Sequence, residues 1–337
     1  MRLILVIIAL TASIAAQDMP GEDAIRISEF YRLSAQIQDS IWPEWSKTPA
    51  PLLLVTTDHE FLTPCEKPRG GFKKISESVC TRPRVFTPTF LATFPVFGPP
   101  SVIVVGEPKN TEAASSTPWL IVLMHEHFHQ LQNGRPEYQK AIDALDLSNG
   151  DQTGMWMLNY PFPYGEPEVV RGFSRLRDLL LAALSAADGK DFDAAAARYV
   201  QERKEVFGHL SEKDHRYFSF QLWQEGIARY TQVKAAEASS NYKPSSEFAA
   251  LPDYTPFPDY ALIARKKTLD ELRQADIAKM KRVFVYSFGA AEGMLLDRWN
   301  PGWKQAYFEH LLSTDRLFDN PARSDAKRPQ SEASSIH

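Results

Sequence analysis

Cysteine is almost missing from this chain, at two residues in 337. Neither Cys65 nor Cys80 has the spacing of a metal-ligand pair, so a cysteine-built zinc module is excluded. What two cysteines do allow is one disulfide, Cys65 to Cys80, across a Pro/Gly-rich segment. Charge of one sign is scarce as well. Lys and Arg number 38 against 42 Asp and Glu, a net charge of −4 with no dense basic stripe, and nothing recommends a nucleic-acid partner. Internal repeats are absent. At 44% hydrophobic and 24% charged residues, general disorder, collagen and coiled coil are excluded.

Long apolar runs are rare too. One opens the chain, "MRLILVIIALTASIAAQ". Arg2 supplies a positive start, Leu3 to Leu10 the apolar stretch, and Ala12 to Ala16 small residues suited to cleavage. Such a stretch is short for a bilayer. The pattern predicts a signal peptide over 1–16, cut near Ala16, and a secreted or periplasmic protein with no membrane span after cleavage. Export into an oxidising compartment suits a Cys65–Cys80 bridge.

Periodicity and turn residues predict the elements that follow. A helix is expected over 24–41 and strands over 51–57 and 101–107. Residues 61–100, rich in Pro, Gly and Phe, predict irregular chain with one or two short strands near 85–94. Thr117 as N-cap and Pro118 at the first helical position open a helix that Asn133-Gly134 closes. Further helices are predicted over 168–187, 192–207 and 214–237. A Ser/Pro/Tyr-rich surface loop follows over 240–260, then helices over 268–283, 286–299 and 302–312. Residues 318–337 are poor in large apolar side chains and predict a disordered tail. The expected fold class is α+β, with a small mixed sheet packed on the helix near 117–133 and a mainly helical second half. The expectation is one domain over 17–317, its sheet-containing part about 17–134 and its helical part about 135–317.

That central helix carries "HEHFH", residues 125–129. His125 and His129, at i and i+4, project from one face, where two imidazoles can reach one tetrahedral zinc. Glu126 lies about 100° round the helix, placed to take a proton from a water rather than to ligate. H-E-x-x-H arises by accident in about one sequence of this composition in a hundred, so the pattern is informative by itself. Every residue from Trp119 to Met124 is apolar, which puts the motif in the interior. His127 points to the far side and predicts a structural role. A third histidine in H-E-x-x-H-x-x-G-x-x-H is excluded, because Gln132 and Arg135 occupy the last two positions.

A catalytic zinc needs a third ligand and an open position. The best candidate is Glu225 in "LWQEGIARYTQ", where Leu222, Trp223 and Ile227 argue for burial. Gly226 and Ala228 leave room for another helix. Arg229, at i+4, is predicted to orient or neutralise Glu225; the alternative is that the two form a surface pair. Glu137, Asp143, Glu166 and Glu168 are candidates without a supporting pattern.

HEHFH followed by a helix reading E-G-x-A-x-Y resembles the gluzincin metallopeptidases, thermolysin-like zincins, and in particular their peptidase-MA-like group. Trp223, Glu225, Gly226, Ile227, Ala228 and Tyr230 carry the match. The resemblance implies a zincin-like fold, Zn2+ on His125, His129 and Glu225, and Glu126 as general base. The stretch 285–303 is similar to the tyrosine-bearing helix of that group, which implies that Tyr286 donates to the substrate oxyanion. His215 and Tyr230 compete for that role. Ninety-five residues separate His129 from Glu225, more than in thermolysin-like enzymes, so an insertion must fill the gap. The expected activity is hydrolysis of a peptide or protein substrate. The alternatives are a non-catalytic binding protein on the same fold and a zinc hydrolase with a non-peptide substrate. An extended peptide could add to strand 101–107 or to one near 88–94, whichever forms the sheet edge.

Overall fold

The computed structural model describes residues 18–319. The predicted signal peptide and residues 320–337 of the predicted tail lie outside them. The structure is mixed α+β, with a six-stranded sheet in the first part and a mostly helical C-terminal half.

Helix α1 (Gly21–Ile41) leads into β1 (Leu52–Val55) and β2 (His59–Thr63). β3 (Lys73–Lys74), β4 (Cys80–Pro83), β5 (Leu91–Phe94) and β6 (Val102–Gly106) complete the sheet, in the order β3-β4-β2-β1-β6-β5. β1 and β6 are parallel, with Leu52 opposite Ile103, and the other pairs are antiparallel. Residues 61–100, expected to be irregular apart from one or two short strands near 85–94, do contain β5 there, and also β3, β4 and most of β2. Strands of two to five residues are too short to leave a period in the sequence. Their neighbours across the sheet define them.

Alternation along the strands decides the layers. Leu52, Leu54, Phe61, Ile103 and Val105 face the helices and join the main core. Leu53, Val55, Leu62, Val102 and Val104 face away, under Phe72, Phe86, Phe90 and Phe94. The Cys65–Cys80 disulfide closes this outer layer, with the two Cα atoms 5.7 Å apart. Loop-closure entropy gives such a bridge about 3 kcal/mol. Reduction, or Cys65→Ser with Cys80→Ser, is expected to lower the melting temperature accordingly. An identical melt with and without reductant would remove the bridge from the stability of the fold.

Helix α2 (Ser116–Asn133) runs beneath the sheet and is buried over nearly its whole length. Its N-cap is Ser115 rather than Thr117. The Thr117 hydroxyl instead donates to the Thr255 carbonyl, and Ser116 bonds Arg26 and Asp253. The first turn is anchored by tertiary contacts and not by a local cap.

The gap after α2 is filled by helices: α3 (Tyr138–Ala144), α4 (Trp156–Asn159), α5 (Pro167–Ser185), α6 (Lys190–Gly208) and α7 (Glu212–Gln221). α5 and α6 pack on each other, and α5 also packs on α12 (Phe284–Trp299). α7 passes through a π-turn, Leu222–Gly226, into α8 (Ile227–Ala238). The expected loop over 240–260 holds α9 (Ser246–Ala249) and the start of α10 (Phe257–Arg273). α11 (Ile277–Met280) precedes α12, and α13 (Trp303–Tyr307) follows it. Phe318, the first residue of the predicted tail, is buried, and its carbonyl accepts from the Trp299 indole. No helix among the described residues is long and apolar enough to cross a membrane.

Candidate metal centre

α2 delivers His125 and His129 to one point, with their Nε2 atoms 3.1 Å apart. Glu225, from the π-turn, brings Oε2 to 3.7 Å from His125 Nε2 and 3.4 Å from His129 Nε2. A tetrahedral zinc with bonds of about 2.1 Å has ligand-to-ligand edges of about 3.4 Å. The three atoms therefore form a triangle of the size that ion requires. His125, Glu126 and His129 also form a buried group able to hold a metal. Two carboxylates thus flank the imidazoles, and their contacts separate them. Glu126 Oε2 accepts from the Thr93 hydroxyl at 2.7 Å, whereas Glu225 Oε2 faces both Nε2 atoms.

Gln132 sets the tautomer of His129. One hydrogen of its amide nitrogen goes to the Tyr307 hydroxyl and the other is shared between the Trp223 and Gln224 carbonyls. Its oxygen must then face His129, whose Nδ1–H donates to it at 2.7 Å. Gln224 Nε2 also lies 3.1 Å from Nδ1, but the shorter contact, to an amide locked by its other neighbours, decides. Nε2 of His129 keeps its lone pair for a metal. Gln132 thereby ties α2 to the π-turn that carries Glu225.

Electrostatics favour a positive charge, proton or metal ion, at the same point. Burial pulls the His129 imidazole down, but the Glu225 carboxylate outweighs it and holds the group up at about 9. Burial pushes Glu225 up, yet the two imidazoles drag it well below the usual carboxylate range. The trio is built to hold positive charge. His127 behaves oppositely, as its far-side position predicts. Burial lowers it to about 4, it bonds Gln130 and Gln38, and it stacks on Trp45.

The close approach of α12 positions the π-turn. A Cβ on Gly226 would lie 2.8 Å from the Gly289 Cα, and one on Gly289 only 2.5 Å from the Gly226 Cα. Neither site has room for a side chain. Arg229, expected beside Glu225, turns instead to Glu271 at 3.0 Å. The guanidinium at Glu225 belongs to Arg282, on the turn before α12, 3.7 Å from Oε1.

Tyr286 on α12 lies over His125, ring centroids 6.3 Å apart. Burial first, and then the Glu225 charge, hold its phenol above the ordinary tyrosine range. The rival donors are committed elsewhere. The Tyr230 hydroxyl, on a buried ring, donates to the half-buried Asp297 at 2.6 Å. His215 pairs with Asp315 at 2.9 Å in a network with Arg203, Glu292 and Tyr199. Glu137, Asp143, Glu166 and Glu168 are all exposed.

The His215 network carries its own expectation. Burial raises the Asp315 carboxyl, but Arg203 and His215 outweigh it and hold it well below its usual value. A depressed carboxylate stabilises the fold above its unfolded pKa of about 3.9, and that contribution is lost as pH falls below it. Asp315→Asn should therefore lower the melting temperature at pH 7 and flatten its fall below pH 4. A variant whose acid-side slope matches the wild type would remove Asp315 from the acid response.

The centre opens on a cleft of about 2330 Å³, lined by His125, Glu126, His129, Glu225, Tyr286 and the whole of β5. β5 pairs only with β6, so it is one edge of the sheet, the one on the cleft, and β6 is interior. Thr93, Gln132, Gln224 and Arg282 are site residues that sequence reasoning missed. Only Gln132, one turn beyond His129 on the same helix, had a local signal. Comparison with protein-family models, curated proteins and solved structures gives no match, so the reading of this centre rests on its own geometry.

Proposed function

We propose that this chain is an exported zinc-dependent metallopeptidase with a zincin-like catalytic centre of the gluzincin kind. The observation that carries the reading is the triangle of His125 Nε2, His129 Nε2 and Glu225 Oε2, of zinc size and open to the cleft. Three protein ligands with one face free is the catalytic arrangement, whereas a structural zinc is closed by four. The disulfide and the N-terminal pattern support export.

Zinc bound there would supply Lewis acidity and lower the pKa of a water to about 7. Glu126 takes a proton from the attacking water and passes it to the leaving amine. Thr93 holds one Glu126 oxygen, which aims the other at the cleft. The Tyr286 hydroxyl donates to the oxygen of the attacked carbonyl as negative charge develops on it. An extended peptide pairs with the free edge of β5, alongside α2.

The test is elemental analysis of the purified protein together with cleavage of a peptide library, with and without chelator. The expected result is one zinc per chain and cleavage that stops on chelation and returns with zinc. A protein that binds zinc and cleaves no peptide would instead be a binding protein, or a hydrolase of another carbonyl substrate.

A further inference from the structure

The two oxygens of Glu225 face different partners. Oε2 looks at the imidazoles, and Oε1 lies 3.7 Å from Arg282 Nη1. The same Nη1 donates to the Tyr286 hydroxyl at 3.3 Å, and the guanidinium carbon sits 5.6 Å from the Tyr286 ring centroid. Arginine carries only donors. The Tyr286 oxygen is therefore the acceptor in this contact, and its own proton must point elsewhere. Among the described residues the phenol has no acceptor of its own, and it lines the cleft.

The segment that presents Arg282 is strained. Lys281, just before it, has φ 50° and ψ −130°, a conformation that glycine adopts far more readily. Arg282 is also mostly buried, with its side chain 23% exposed. A long cation held out of water on a strained turn, touching both a candidate ligand and a candidate donor, is not a solvated surface charge.

We propose that Arg282 is a positioning residue that acts through Tyr286. By donating to the phenol oxygen it directs the phenol proton into the cleft, toward the substrate carbonyl. The reaction moves one negative charge from Glu126 to the substrate oxygen, as the proton of the water passes to Glu126. Arg282 stands on the Tyr286 side of that transfer and favours the charge in its new place. This inference rests on the hydrolase reading of the centre.

The test uses the full chain with Arg282→Ala and Arg282→Lys, each alone and combined with Tyr286→Phe. Zinc content, kcat and KM are measured on a peptide that the wild type cleaves. Arg282→Ala is expected to lower kcat about 10- to 100-fold, with KM within about twofold and zinc retained. Arg282→Lys should recover part of the rate. In the Tyr286→Phe background, Arg282→Ala should add little. A full additional loss in that background overturns the coupling. Loss of zinc in Arg282→Ala also overturns it, since Arg282 would then support the ligand set. Glu126→Gln separates the two readings. If it cleaves as fast as wild type, the assignment of Glu126 as general base fails, and the proposed mechanism with it. If it is inactive while Arg282→Ala keeps the full rate, the Arg282 proposal alone fails.

Discussion

Glu126→Gln is expected to retain one zinc per chain and to lose peptide turnover by about 10²- to 10⁴-fold. The substitution preserves shape and keeps an acceptor oxygen for the Thr93 hydroxyl, so the 2.7 Å contact to β5 survives. It removes only the ability to take a proton. The proposed metal triangle leaves Glu126 out, because Glu225 Oε2 is the oxygen that faces both imidazoles. Zinc content and turnover should therefore part company in this variant. If both fell together, Glu126 would be a ligand, and the buried group of His125, Glu126 and His129 would itself be the metal site.

Glu225→Ala should do the reverse and empty the site. The loss of zinc affinity should exceed the roughly 10- to 100-fold that removal of an outer partner costs, read by metal titration of the purified variant. With the carboxylate gone, the imidazoles face a guanidinium with no charge between them, since Arg282 lies 3.7 Å from Oε1. Two histidines alone do not make a catalytic zinc site. Zinc bound at wild-type strength would show that a different carboxylate completes the triangle, and the assignment of the π-turn as the third arm would be lost. Together the two variants distinguish the proposed proton acceptor from the proposed ligand, although a buried glutamate and a half-buried one stand beside the same pair of histidines.

Much of the site was legible because it is local. His125, Glu126 and His129 lie within five residues of one helix, and helical geometry alone settles which of them share a face. His127 was readable as structural on the same ground. Arg229 shows where such reasoning stops. Helical spacing allows it to sit beside Glu225, but its guanidinium is held by Glu271 and Gln232, partners that no local spacing announces. A strand near 85–94 was legible and is β5, but β3 and β4 were missed for a related reason. β3 has two residues and β4 four, so hydrogen bonds to neighbouring strands are what make them strands.

By itself the sequence determined the pair of imidazoles, the adjacent acid, their burial behind Trp119 to Met124, and the only cysteine pairing available within the chain. These follow from spacing and composition, which a linear string records completely. The tertiary structure decided that Glu225 reaches the imidazoles across ninety-five residues, that Arg282 rather than Arg229 meets it, and that β5 rather than β6 is the open edge. Those distances are set by packing, here by a glycine contact between Gly226 and Gly289 that lets α12 press on the π-turn. Separation in space between remote side chains has no period, so no pattern along the chain could announce it.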